Sequence, residues 1–314
     1  MFRSEPTRRL FIGAATAASI GRAAEPPAHA NKLVVFSKHL QWLPWEQMAS
    51  AAAESGFDGV DLTVRKGGHV LPDRAADDLP RAAEAIKKGG SALVMITSDI
   101  VDARTPHAET VLKTASALGV RHYRWGGFKY DDAKPIPDQL NALKPRVKDL
   151  ADLNREYNVA AMYHTHSGNE VGAPIWDLFA LLRDFDPKYV GINYDIGHAT
   201  VEGGLGGWIR SAQLVRPYMR GIALKDFRWA KNARGEWSPE WCPPGEGMVR
   251  FSKFLPMLKQ ANFEGPIQVH YEYAGLGGAE HGNAKLDAPA AEVLAKIKRD
   301  QQFLRSRLKE AGVL

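Results

Sequence analysis

From Leu33 onward the chain alternates short apolar runs with longer amphipathic ones, and it does so eight times. The short runs are Leu33–Phe36, Gly59–Thr63, Ala92–Ile96, His122–Trp125, Val159–Tyr163, Val190–Tyr194, Gly221–Leu224 and Pro266–Tyr271. Each has the length of a buried strand and is closed by Gly or polar residues. Between them the pattern predicts helices over Pro44–Glu54, Leu79–Lys88, Pro106–Leu118, Pro137–Tyr157, Pro174–Arg183, Gly207–Val215, Phe251–Gln260 and Pro289–Lys309. Several open on Pro, which suits a first helical turn. Gly follows others, as in Ser55-Gly56-Phe57 and Leu118-Gly119-Val120, where a left-handed cap is needed. Eight strand–helix units predict a single (β/α)₈ barrel over residues 31–314. An open doubly wound sheet is the rival, but no Gly-rich phosphate fingerprint follows the first strand.

In a barrel the residues just past each strand converge on one face, where the chemistry is kept. Reading those positions gives His39 and Trp42 after the first strand, His69 after the second, Trp125 ending the fourth, and His164 and His166 after the fifth. The sixth ends in Asp195-Ile196-Gly197-His198, the seventh in Lys225-Asp226, and the eighth in His270-Tyr271-Glu272. Seven of the ten histidines lie at strand ends, which scattered surface histidines would not do. Residues two apart on a strand share a face, so His164 pairs with His166 and His270 with Glu272. The long connection after the seventh strand carries Trp229, Trp237 and Trp241, and loops of that length in a compact domain serve as lids or binding loops. Tryptophan faces suit the C–H faces of sugar rings.

With these residues in view, the chain resembles the xylose isomerase-like sugar isomerase/epimerase superfamily. The likeness rests on Gly56-Phe57-Asp58-Gly59-Val60-Asp61 running into the second strand, Asp195-Ile196-Gly197-His198, Lys225-Asp226, and Pro244-Gly245-Glu246-Gly247 in the long loop. The resemblance implies a divalent metal, held by a Glu, an Asp, a His and a Glu after strands five to eight. Here the matching positions are His164, Asp195, Ala223 and His270, so only the Asp is kept. Imidazole remains a competent ligand for Mn, Zn or Fe, and it is also well placed for proton transfer near neutral pH. The expected metal set is therefore His164, Asp195, His270 and Glu272, with Mg as a further identity for the ion. The expected catalytic set is His164, His270 and Lys225. His39, Trp42, His69, Trp125, His166, His198, Trp229, Trp241 and Glu246 are the expected substrate contacts.

The resemblance implies an isomerase or epimerase that removes a proton next to a sugar carbonyl, with metal assistance. Elimination or hydration of keto-sugar glycosides is the alternative reaction, and a barrel that only binds sugar is the alternative of another class. A small carbohydrate is the expected partner, with room for a homo-oligomer.

The first residues are read apart from the fold. Arg8-Arg9 in Thr7–Ile12, an Ala-rich stretch to Ile20 and a small-residue site at Ala28-His29-Ala30 predict a twin-arginine signal over residues 1–30 and a periplasmic or secreted protein. The apolar stretch is too short for a stable membrane anchor. Its removal leaves 37 basic against 34 acidic residues, a balance that gives no reason to expect nucleic acid. One cysteine, Cys242, excludes an internal disulfide. Replacing Arg8 and Arg9 by lysine is expected to leave the chain unprocessed in the cytoplasm on cell fractionation. Processed, exported double mutant would contradict the reading.

Overall fold

The computed structural model describes Met1 and residues 31–314, so the twin-arginine segment lies outside the described residues. Eight parallel strands close into one barrel: β1 (Lys32–Phe36), β2 (Gly59–Val64), β3 (Leu93–Ser98), β4 (His122–Trp125), β5 (Ala160–His164), β6 (Val190–Asp195), β7 (Met219–Leu224) and, after a hairpin, β10 (Pro266–Val269). Each strand pairs with its sequence neighbour, and β10 closes the ring between β7 and β1. The single (β/α)₈ barrel expected from the alternation is what the chain forms. Helices α1 (Trp45–Glu54), α2 (Ala75–Lys88), α3 (Ala108–Ala117), α4 (Ile136–Tyr157), α5 (Trp176–Leu182), α7 (Gly207–Val215), α8 (Phe251–Gln260) and α9 (Ala290–Glu310) form the outer layer. No helix among the described residues is long and apolar enough to cross a membrane.

Three local expectations change. Asp195-Ile196-Gly197-His198 does more than end the sixth strand: it opens a further helix, α6 (Ile196–Gly203), with the Asp195 side chain accepting the His198 N–H at 3.0 Å as an N-cap does. α2 begins at Ala75, a turn before Leu79, and carries Pro80 inside it. The long seventh connection is an antiparallel hairpin of β8 (Asp226–Lys231) and β9 (Trp237–Cys242) in place of an irregular lid. Its far end is tied down by Asp226, whose carboxylate accepts the N–H groups of Gly245, Gly247 and Val249.

Alternation along each strand sends one set of side chains out to the helices and the other into the barrel. Val34, Met95 and Met162 form a small apolar cluster of their own, apart from the main core. A polar ladder also crosses the barrel between strands: Thr97 Oγ1 donates to Asp61, Gln268 Nε2 donates to Asp61, Asn193 Nδ2 donates to Gln268, and the same amide faces His164 Nδ1 at 3.1 Å. Burial pushes the Asp61 carboxyl up to about 6, against the pull of those hydrogen bonds and of Arg124. The ladder leads to the C-terminal ends of the strands, where the strand-end histidines gather.

Candidate active site

Lys225, two residues after Ala223 on β7, is the hub of the strand ends. Its ammonium is 2% exposed and lies 2.7 Å from Glu272 Oε2, 2.7 Å from His198 Nε2 and 3.5 Å from Asp195 Oδ2. The ring of Trp241 lies 3.9 Å away, a cation–π distance. Gly197 makes this packing feasible, since a Cβ there would come within 2.7 Å of Lys225 Cγ. Asp195 Oδ2 also sits 3.6 Å from His164 Nε2 and 3.8 Å from His270 Nδ1. The His164 and His270 rings are 5.1 Å apart, and His166 packs edge-on against His164 at 4.5 Å.

Burial governs the charges here. It drives His164 and His270 well below the ordinary imidazole value, and Arg124 and Lys225 nearby add to the effect, so both rings are neutral at pH 7. It raises Asp195 to about 6, against the opposing pull of Lys225. Burial would raise Glu272 too, but Lys225, His270 and Lys38 together hold it well below the usual carboxylate range.

The residues fit a divalent ion. His164, Asp195 and His270 each offer a ligand atom, all within 4.8 Å of one another. Asp195 Oδ2 and both ring nitrogens of His270 are buried without a hydrogen-bond partner, an arrangement that is costly unless something else satisfies them. Two imidazoles and one carboxylate with open positions make a recognised transition-metal set. His164, His166 and His198 form a second such group. Ala223 lies directly opposite Asp195 in the β6–β7 register and offers nothing, while Glu272 is engaged by Lys225 and Lys38.

Of the sequence-read residues, the structure brings together His164, His166, Asp195, His198, Lys225, Trp241, His270 and Glu272. The others are corrected. Trp125 is fully buried on the helix side of β4, packs on Tyr163 and Phe128, and donates Nε1–H to Val101 O. His39 is also fully buried. Its Nε2 accepts the Tyr271 N–H and its Nδ1 meets Ala279 O, so it pins a loop. Trp42 lies with Leu43, Ala290 and Leu294 along a cavity on the α1 side, and His69 is tied to Thr63. Trp229 packs against Phe227 and is half exposed on the hairpin; Glu246 is exposed on the loop that Asp226 anchors. A place at a strand end does not by itself fix facing or freedom: Trp125 points to the helices, His39 lies near His270 but is spent on backbone groups, and His69 is held by Thr63. Asn193, Gln268, Arg65 and Arg124 were passed over, although alternation puts Arg124 inside wherever Trp125 is outside.

Residues 49–306 match the family described as the xylose isomerase-like TIM barrel. The chain belongs to that family. A curated relative, the inosose dehydratase of Geobacillus thermodenitrificans (strain NG80-2), is 27% identical over 153 residues, which is 45% of this chain and 50% of that protein. The chain thus spans about half the length of the curated relative it matches. Among solved structures, an L-ribulose 3-epimerase is similar with a TM-score of 0.65 at 14% identity, covering 90% of this chain and 95% of that one. A xylose isomerase-like TIM barrel protein from Mycobacterium smegmatis in complex with magnesium is similar at 0.65 and 16%, covering 89% and 97%. At such identities the likeness is one of fold.

The fit to an ion has a direct test. Elemental analysis of purified protein is expected to find a divalent metal that is lost in both Asp195→Ala and His270→Ala. A metal-free parent, or variants that keep the parent's content, would contradict it.

Proposed function

We propose that the chain is a carbohydrate isomerase or epimerase that removes a proton from a carbon next to a sugar carbonyl. The observation that carries this reading is the buried group of Lys225, Glu272, Asp195, His164 and His270, set at the C-terminal ends of the strands. Merely holding a neutral sugar does not call for so many buried titratable groups.

Lys225 is the group that meets the sugar oxygen on which charge develops as the proton leaves, because a buried ammonium stabilises an oxyanion far better than water does. Glu272 takes the proton. Its Oε2 is held by Lys225 at 2.7 Å, while Oε1 makes no hydrogen bond and has Lys38 at 3.7 Å, and its ionised form is the one that accepts. His198 positions Lys225: with its Nδ1–H donated to Ser167 Oγ at 2.8 Å, its Nε2 is the acceptor that faces the ammonium at 2.7 Å. Trp241, under Lys225 and 4.9 Å from His198, offers an apolar face to the ring carbons of a sugar. A divalent ion held by His164, Asp195 and His270 would polarise the carbonyl. Without an ion, the two neutral imidazoles are themselves proton acceptors, and the metal analysis separates these cases.

Elimination is the second reading. It begins with the same proton removal, and the relative named a dehydratase favours it. The Arg8-Arg9 signature supports a reaction that takes place outside the cytoplasm.

Incubation with ketoses, aldoses and 3-keto-glycosides in D₂O tests the proposal. Deuterium is expected at the carbon next to the carbonyl, and released aglycone marks elimination. Losing an acid–base group costs about 10²–10⁴-fold in rate, so Glu272→Gln should fall in that range while remaining folded. No exchange and no release from metal-loaded protein across the panel would overturn it.

A further inference from the structure

Two guanidinium groups stand at the barrel mouth, and among the described residues neither forms an ion pair with a carboxylate. Arg124 comes from β4, where Tyr123 and Trp125 are buried on the helix side, so Arg124 faces the interior. Arg65 directly follows β2. Their guanidinium carbons lie 5.8 and 5.5 Å from the centroid of one ring, Phe36, and Phe36 stacks on His270 at 4.9 Å. Arg124 Nη2 also lies 3.3 Å from His166 Nε2, beside His164. The two cations therefore border the catalytic group from the His270 side to the His164 side.

The carboxylates nearby are already committed. Asp61 accepts from Thr97 and Gln268, Glu272 holds Lys225 and Lys38, and Asp195 faces Lys225 and the two histidines. Among the described residues no ion pair joins Arg65 or Arg124 to an acid, although most other arginines facing an acid form one. A guanidinium carries five donors in a planar fork; Arg124 directs one at His166, and Arg65, partly exposed, keeps its fork free for a ligand. Burial lowers Arg124 to about 10 and Arg65 next to it works in the same direction, while Asp61, Glu272 and Asp195 pull the other way without pairing to it. Stacking on Phe36 offsets little of the repulsion between two unpaired cations that stand side by side.

We infer that Arg65 and Arg124, with Lys38 at their edge, bind an oxyanion carried by the substrate, so that the sugar handled here is acidic, with a carboxylate or a phosphate away from the reacting carbon. Planar, doubly hydrogen-bonded recognition of either group is what paired arginines do best. This rests on the proposed sugar chemistry only for the identity of the ligand's remainder; the two can fail separately.

Calorimetric titration of the full-length protein with D-glucuronate, D-glucose 6-phosphate and D-glucose tests it. A charge-assisted hydrogen bond is worth about 1.5–3 kcal/mol net, so at least one acidic sugar should bind roughly tenfold to a hundredfold tighter than glucose at low salt. The favoured probe tells carboxylate from phosphate. In Arg65→Ala, at a partly exposed position, and in Arg124→Gln, affinity for the acidic probe should fall to that of glucose. Arg124→Lys, which keeps the charge without the fork, should recover part of it. Glucose binding as tightly as both acidic sugars, no binding of either acidic sugar, or equal weakening of all three probes in the variants would overturn the inference. Deuterium exchange into neutral sugars without acidic preference would sink the oxyanion site alone. Acidic-sugar binding without exchange on any panel member would sink the proton chemistry alone.

Discussion

The site depends on keeping one ammonium ion charged and out of water. Lys225 is held by Asp195 and His198 from the start of α6, by Glu272 from the segment after β10, and by the face of Trp241 from the hairpin. Breaking a buried ion pair by deleting one partner typically costs about 3–5 kcal/mol, because the charge left behind has no water to turn to. The cluster therefore locks β6, β7, the segment after β10 and the hairpin into one arrangement. It also sets what the cleft can do. The same ammonium that neutralises Asp195 and Glu272 is the nearest strong donor to any sugar oxygen placed over Trp241.

Beneath it, the polar ladder from Asp61 through Gln268 and Asn193 to His164 links the barrel interior to the strand-end chemistry. Buried polar groups of this kind are tolerated when their partners are supplied, and they fix side-chain orientation in return. His164 is therefore held with its Nε2 toward Asp195. Where the family places a further histidine on β7, this chain has Ala223, and Lys225 two residues on projects into the same group. The exchange leaves a smaller ligand set and adds a permanent donor. That combination suits a site that binds an ion less completely and handles oxygen charge directly.

The barrel was legible because apolar alternation is a long-range, repeated signal: every strand run and nearly every helix reappears within a few residues. The hairpin was not, since Trp229, Trp237 and Trp241 read equally well as loop aromatics until Phe227 and Trp241 are seen paired across two strands. Within the site, chemistry-bearing residues at strand ends were visible, but their facing was not. Trp125 lies on the helix side of the wall, and His39, though beside His270, is spent on backbone groups. Arg124 was passed over because its neighbour Trp125 drew the eye, although period-two alternation allows only one of them inside. Asn193 and Gln268 stand two residues before Asp195 and His270, so alternation puts them on the same face, but the partner each buried amide meets is visible only in the structure.

The central claim is that Lys225 and Glu272 act as one unit. The measurement that tests it most directly is deuterium wash-in by Lys225→Met, Glu272→Gln and the double variant, with the stability of each followed by urea denaturation. Groups that work as a unit are strongly non-additive, so each single variant should lose nearly as much rate as the double, by about 10²–10⁴-fold, in proteins that remain folded. Losses that multiply independently, or that simply track the fall in stability, would contradict the account.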